Sequence, residues 1–216
     1  MTGVQTCALP IFVFLVVASI SLFIFVGVVL AIEIYIEAEN ANELIEPMKV
    51  FNDDKNAWGK YIEGRGVGGG SAFARYEINM PQAGKFYIWG RARSFDAGTN
   101  SFHFRLNDSK NLVALIWDLP DEHPNPNAFC EEWCWDIIAH RPGKEPFEFK
   151  FKKGKNNLYI VVREPRAGLD ALYIVPDPEM EPPKKPLPEG FQAVEPHFKL
   201  SATWGKIKQE VMQQLR

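Results

Sequence analysis

Two glutamates, Glu37 and Glu39, stand two residues apart in an alternating run, and two cysteines, Cys130 and Cys134, stand four apart around a tryptophan. The glutamates project to the same side of an extended chain, and a hard cation such as Ca²⁺ seeks several oxygen ligands of this kind. The alternative is a pair of solvent-facing carboxylates on an edge strand. In an exported chain, C-E-E-W-C reads as a local disulfide closing a Trp-bearing loop. Zinc sites need about four ligands, and His103, His123, His140 and His197 have no spacing that completes such a set. A thioredoxin-type redox pair has two residues between its cysteines, whereas three intervene here. Aromatic rings are the other resource, with Trp58, Tyr61, Trp89, Trp117, Trp133 and Trp135 available to stack on a ligand face. Trp117, Trp133 and Trp135 flank an irregular, Pro- and Asn-rich stretch at 119–128, and loops carry function more often than strands do. Packing beneath that loop is the alternative for all three. Trp89, in a strand with Phe86 and Tyr87, reads as a core or sheet-face residue.

Other chemistries find no support. The glycine-rich stretch at 64–71 lacks the Gly-Lys-Ser/Thr ending of a phosphate loop. Acid pairs such as Glu131 and Glu132, or Asp118 and Asp121, share a strand or loop and do not establish two carboxyls across a cleft. With no nucleophile elbow, no H-E-x-x-H pair and no dinucleotide fingerprint, the chain is not expected to be an enzyme. Its 24 basic and 27 acidic residues give a net charge of −3 without a clustered basic face, which argues against nucleic acid as a partner.

The elements that must position these groups are strands. Residues 32–39 read I-E-I-Y-I-E-A-E, a half-buried strand pattern. The same period recurs at 72–78, 85–93, 101–106, 112–117, 147–151, 157–162 and 169–175, with turn residues at 81–84, 96–98 and 153–156. Short alternating strands without long helices between them predict an all-β, antiparallel β-sandwich over 32–177. No Lys, Arg, Asp or Glu falls within residues 1–31. Residues 1–11 resemble a translated sequencing adapter and are expected to be an artefact. Residues 12–31 are expected to form a hydrophobic helix, either a cleaved signal peptide or an uncleaved membrane anchor, through which alone the chain would meet a membrane. A Pro-rich linker is expected at 178–200. At 201–216, Trp204, Ile207, Val211 and Leu215 fall on one stripe of a short amphipathic helix, with Ser201 as its cap.

Several of these runs together resemble a family. I-E-A-E-N-A (36–41), Y-I-E (61–63), A-R-Y-E-I (74–78), A-G-K-F-Y-I-W-G-R (83–91), N-S-F (100–102) and R-E-P-R-A-G-L-D-A-L-Y-I (163–174) resemble, in order and spacing, carbohydrate-binding modules of families 6 and 35. The resemblance implies a galactose-binding-like jelly roll, a non-catalytic role toward a glycan or polysaccharide, and a structural calcium ion held by Glu37, Glu39 and Asp170. It also implies aromatic stacking on sugar, with Tyr61, Trp117, Trp133 and Trp135 as candidates. In many family 6 modules an Asn two residues before the terminal Asp bonds the sugar, whereas Gly168 stands at that place here. Asn100, Arg163 and Glu164 are candidates to replace it, although Arg163 and Glu164 read equally as an ion pair at a strand end. A secreted or surface-displayed module is expected, with a structural or adhesive protein-binding sandwich as the rival reading.

Overall fold

The computed structural model describes residues 30–66, 70–108, 110–119, 130–141, 145–188 and 190–196. The chain divides into two units: Ile32–Val194, and a unit of Met1–Ala31 with Glu195–Arg216. The expected hydrophobic helix at 12–31 falls almost wholly outside the described residues, as does the expected helix at 201–216. No helix among the described residues is long and apolar enough to cross a membrane.

The strands in chain order are β1 (Leu30–Glu37), β2 (Glu43–Leu44), β3 (Met48–Phe51), β4 (Tyr61–Gly64), β5 (Phe73–Met80), β6 (Gly84–Arg93), β7 (Ser101–Leu106), β8 (Ile116–Asp118), β9 (Cys134–Ile137), β10 (Phe149–Phe151), β11 (Gly154–Val162), β12 (Gly168–Val175) and β13 (Gln192–Pro196). They form two antiparallel sheets. One runs β10-β6-β12-β1-β13, with β9 paired to β6 and the β3–β4 hairpin paired to β12; the other runs β2-β5-β11-β7-β8. All-β antiparallel architecture is thus what the alternation predicted.

The core lies between the sheets. Ile32, Ile34, Ile88, Ala92, Leu172 and Ile174 from the first sheet meet Tyr76, Ile78, Phe102, Phe104, Leu158 and Ile160 from the second. Alternation sends these residues inward and their neighbours outward, as pleating requires. In β12, however, every residue from Gly168 to Val175 is buried. The outer face of that strand is covered as well, which explains why its sequence is an almost continuous apolar run.

Trp117 belongs to this core. It is fully buried, its indole N–H donates to Asp136 Oδ2 at 2.6 Å, and its ring lies 5.6 Å from that of Phe102. The expectation that Trp117 stacks on a ligand is therefore corrected: β8 pairs with β7 and turns the indole inward against Gly90. A methyl at position 90 would lie 2.2 Å from Trp117 Cη2. Gly90→Ala is expected to overpack the site and cost about 1–3 kcal/mol, read as a lower urea midpoint; an unchanged midpoint would show that the indole can give way.

The segment expected to be a linker is, in its described part, packed. Met180, Leu187 and Phe191 lie against Tyr35, Tyr173, Val175, Tyr87, Trp89 and Trp135 on the outer face of the first sheet. The Phe191 carbonyl accepts from Tyr35 N–H at 3.1 Å, and β13 then adds to β1. Proline keeps 176–188 from becoming a strand, but its apolar side chains still find a partner in the aromatic face.

Candidate functional site

Three neighbouring strands set the site. At its start β12 lies between β4 and β6, with Gly168 opposite Glu63 on one side and Arg93 on the other. β9 follows β6, with Arg91 opposite Trp135 and Ala92 opposite Cys134, and so sets Trp133 beside the arginines. Outward positions of these strands collect Tyr61, Glu63, Arg91, Arg93 and Asp170, and the loop from β3 to β4 brings Asp53, Asp54, Lys55 and Trp58 across them.

An open cleft of about 460 Å³ results, lined by Asp53, Asp54, Lys55, Tyr61, Arg65, Arg93, Phe95 and Arg166. Its floor is a lattice of alternating charge. Arg93 pairs with Asp54 and, at 3.2 Å, with buried Glu63. Arg65 Nε reaches Glu63 at 2.7 Å and its Nη2 reaches Asp53 at 3.1 Å. The Tyr61 hydroxyl donates to Asp53. That hydroxyl and the Arg65 guanidinium hold the Asp53 carboxyl below its ordinary range, while burial and the Asp53 contact push the Tyr61 hydroxyl up. Arg93 is itself only 8% exposed, and its Nε is buried without a partner. A buried donor left unpaired is costly, and this one lies beneath the surface of the cleft.

Rings and guanidinium groups alternate along the same surface. Arg91 stacks 4.2 Å from the centroid of Trp58; Arg93 lies 4.8–5.0 Å from Trp133, Phe95 and Tyr61; Arg166 lies 5.0 Å from Phe95. Such contacts are favoured by the ring quadrupole. Arg166 has a φ of 66°, uncommon for a residue with a β-carbon, and its N–H donates to the Gly64 carbonyl at 2.8 Å. Neither Lys55 nor Arg166 meets a carboxylate among the described residues.

Of the candidates drawn from sequence, Tyr61 and Trp133 come together here, rings 5.1 Å apart. Tyr61 is buried, so its hydroxyl rather than its face borders the cleft. Trp133 is half-buried and donates from Nε1 to Asp54 at 3.1 Å. Gly168 has a structural reason: a β-carbon there would stand 3.1 Å from Trp133 Cη2, so the indole occupies the space of a side chain at 168. Cys130 and Cys134 are joined by a disulfide spanning Trp133, and the Ser94 hydroxyl accepts from Cys130 N–H at 3.1 Å. Trp135 lies instead beneath the Pro-rich segment, donating to the Pro183 carbonyl at 2.9 Å.

Asn100, Arg163 and Glu164 do not line the cleft. Arg163 bonds Ser101 Oγ and Glu164 Oε1, each at 2.5 Å, and Glu164 Oε2 accepts from Asn100 N–H at 2.9 Å. Their hydrogen bonds are directed at one another and at the start of β7, which matches the ion-pair alternative. Arg65, Arg93, Phe95, Arg166, Asp53, Asp54 and Lys55 were not singled out from sequence; outward arginines at 91 and 93 of an aromatic-rich strand were the available signal.

The carboxylates expected to bind calcium are neighbours in part. β1 ends at Glu37, and a 3-10 turn, Ala38–Asn40, carries Glu39 toward the loop, where Lys60 N–H donates to its Oε1 at 3.3 Å. Asp170 is fully buried, paired with Arg91 and accepting from Trp58 N–H at 3.1 Å. No group of three His, Cys, Asp or Glu among the described residues converges as a metal site. Even so, Glu37 Oε2 and Glu39 Oε2 are both buried without a partner. Burial, reinforced by the charges of Glu39 and Asp170, pushes the Glu37 carboxyl up to about 7. Two orphaned carboxylate oxygens suit a hard cation.

No family model and no curated protein matches the chain. Solved structures do. The likeness is to carbohydrate-binding modules. A family 35 module from Clostridium thermocellum shares 13% identity over 66% of this chain and 96% of its own, at a TM-score of 0.48. CBM35 from Paenibacillus barcinonensis shares 16% over 65% and 96%, at 0.46. A module of Cellvibrio mixtus lichenase 5A, in complex with cellotriose, shares 16% over 65% and 95%, at 0.45. At these TM-scores the likeness adds nothing to what the side chains say about a ligand.

Proposed function

We propose that this chain is an exported, non-catalytic glycan-binding module that takes its ligand in the cleft of Lys55, Tyr61, Arg65, Arg93, Phe95 and Arg166. The observation that carries the reading is the unused capacity of that cleft: an open volume of about 460 Å³ lined by Lys55 and Arg166, neither paired with a carboxylate among the described residues, beside the ring of Phe95. A sugar offers both an apolar ring face and a fan of hydroxyls, which is what rings and planar donors recognise. Lys55 and Arg166, unpaired by carboxylates among the described residues, favour a glycan that carries acidic groups. Calcium held by Glu37 and Glu39, with Asp170 beside them, would tie the end of β1 to the loop that carries Trp58. The ion's part is structural, offsetting buried negative charge.

One set of observations favours the rival reading of a structural or adhesive domain: Trp117 is core and Trp135 is covered, so fewer aromatics face outward than the loop positions suggested. A glycan array on the full chain, with neutral and uronic-acid polysaccharides, separates the two. Binding is expected, and Arg166→Ala should weaken acidic glycans by about tenfold, an ion-pair contact of about 1.4 kcal/mol. No retention of any glycan by folded protein would move the assignment to protein binding.

A further inference from the structure

Six of the thirteen residues from Pro176 to Pro188 are proline. Such a segment lacks the N–H groups to be stitched on as a strand, and it favours the extended polyproline conformation before it docks. What receives it is a surface of aromatic rings. Tyr35, Tyr87, Trp89, Trp135 and Tyr173 stand on the outer face of β1, β6, β9 and β12, and Met180 and Leu187 pack among them. Met180, Pro182, Pro183 and Leu187 are half-buried, while Glu179, Glu181, Lys184 and Lys185 face solvent. Trp135 donates its indole N–H to the Pro183 carbonyl, and the Trp89 indole N–H, in the same patch, is buried without a partner. Aromatic rings with an indole donor on a proline carbonyl are the chemistry by which proteins recognise proline-rich chains.

We propose that this outer face is a polyproline-recognition surface, filled in the single chain by its own residues 180–188 with Phe191, and that the same segment of a second copy takes the place when the resident one is weakened. With β13 leaving β1 together with the segment, the contacts available in trans are those made in cis, so exchange changes only the tethering. The tether is short and turned at one point, where Asp177 accepts from Glu179 N–H at 3.0 Å and from Met180 N–H at 3.1 Å. The side of the segment that faces the rings carries no charge, so a second copy's segment meets no repulsion there.

Two full-length variants test this. Leu187→Ser weakens the segment and leaves the surface intact; Trp135→Ala damages the surface and leaves the segment intact. Each alone is expected to run as a monomer by size-exclusion with light scattering, and a mixture at about 100 µM, a concentration chosen against the high effective concentration of a tethered segment, is expected to yield a 1:1 complex. Two monomer peaks from folded variants would overturn the proposal. So would a complex that survives when both chains carry Leu187→Ser, since the contact would then lie elsewhere. Should either variant melt far below the parent, Met180→Ser and Trp89→Phe form a second complementary pair with the same readout.

Discussion

Arg91→Leu is expected to lower stability by about 3–5 kcal/mol, the cost of leaving a buried charge without its counter-ion. Asp170 has no exposed surface, and Arg91 supplies its only ion pair among the described residues. Trp58 N–H, at 3.1 Å, cannot replace a guanidinium. For a domain of this size the loss corresponds to a fall in Tm of about 10 °C. The variant also removes the cation on which the Trp58 ring rests, 4.2 Å away, so its emission should shift toward the red. Urea unfolding of the single variant and of Arg91→Leu/Asp170→Asn closes the argument: the double variant should recover most of the loss, because a neutral amide at 170 no longer demands a counter-ion. Equal midpoints for the two would show that the pair contributes through packing rather than charge.

The second large effect concerns calcium and pH together. Burial raises the Glu37 carboxyl from its ordinary 4.5 to about 7, and burial raises Asp170 in the same direction. A raised folded-state value means that the folded chain holds the proton more tightly than the unfolded one. The associated stability is fully present below about pH 4.5 and is lost as pH rises through about 7. For Glu37 the ceiling is about 3 kcal/mol, and its partial exposure reduces this to about 1–2 kcal/mol. A divalent cation takes the place of the proton. In chelator, Tm is therefore expected to fall between pH 5 and pH 8, and saturating calcium should raise it by about 5–10 °C at pH 7.5 but little at pH 5. Glu37→Gln should lose most of that pH dependence in chelator, Asp170 supplying the remainder, and lose the calcium response. Identical melts with and without calcium at pH 7.5 would remove the ion from the account.

Legibility followed locality. The alternation at 101–106 coincides with β7, and those at 85–93 and 169–175 fall within one residue of β6 and β12, because period-two burial is written into consecutive side chains. β2, β3, β4 and β9 were not foreseen: they are two to four residues long, too short to display a period, and pair only because neighbouring strands hold them. The Pro-rich segment shows the limit from the other side. Its composition describes how the chain bends but not the aromatic face that receives Met180 and Leu187.

The aromatics make the same point residue by residue. Flanking an irregular loop made Trp117, Trp133 and Trp135 equivalent on the page. In the folded chain the first is core against Gly90, the second packs on Gly168 beside Arg93, and the third lies under Pro183. Which way an indole turns depends on the strand that pairs beside it, and that is a long-range fact.

By itself, then, the sequence determined that this is an antiparallel sandwich with a disulfide-sized loop around Trp133, since each is a property of nearest neighbours, whereas Glu39, read with Glu37 as strand, stands in the 3-10 turn that follows β1. Only the tertiary structure decided the cleft. Asp54, Glu63, Arg93, Phe95, Trp133 and Arg166 come from five separate stretches of chain, and they meet because β12 threads between β4 and β6 while β9 closes on β6. Charge pairing and ring stacking act over a few ångströms in space, and no spacing along the chain encodes which distant residues will stand that close.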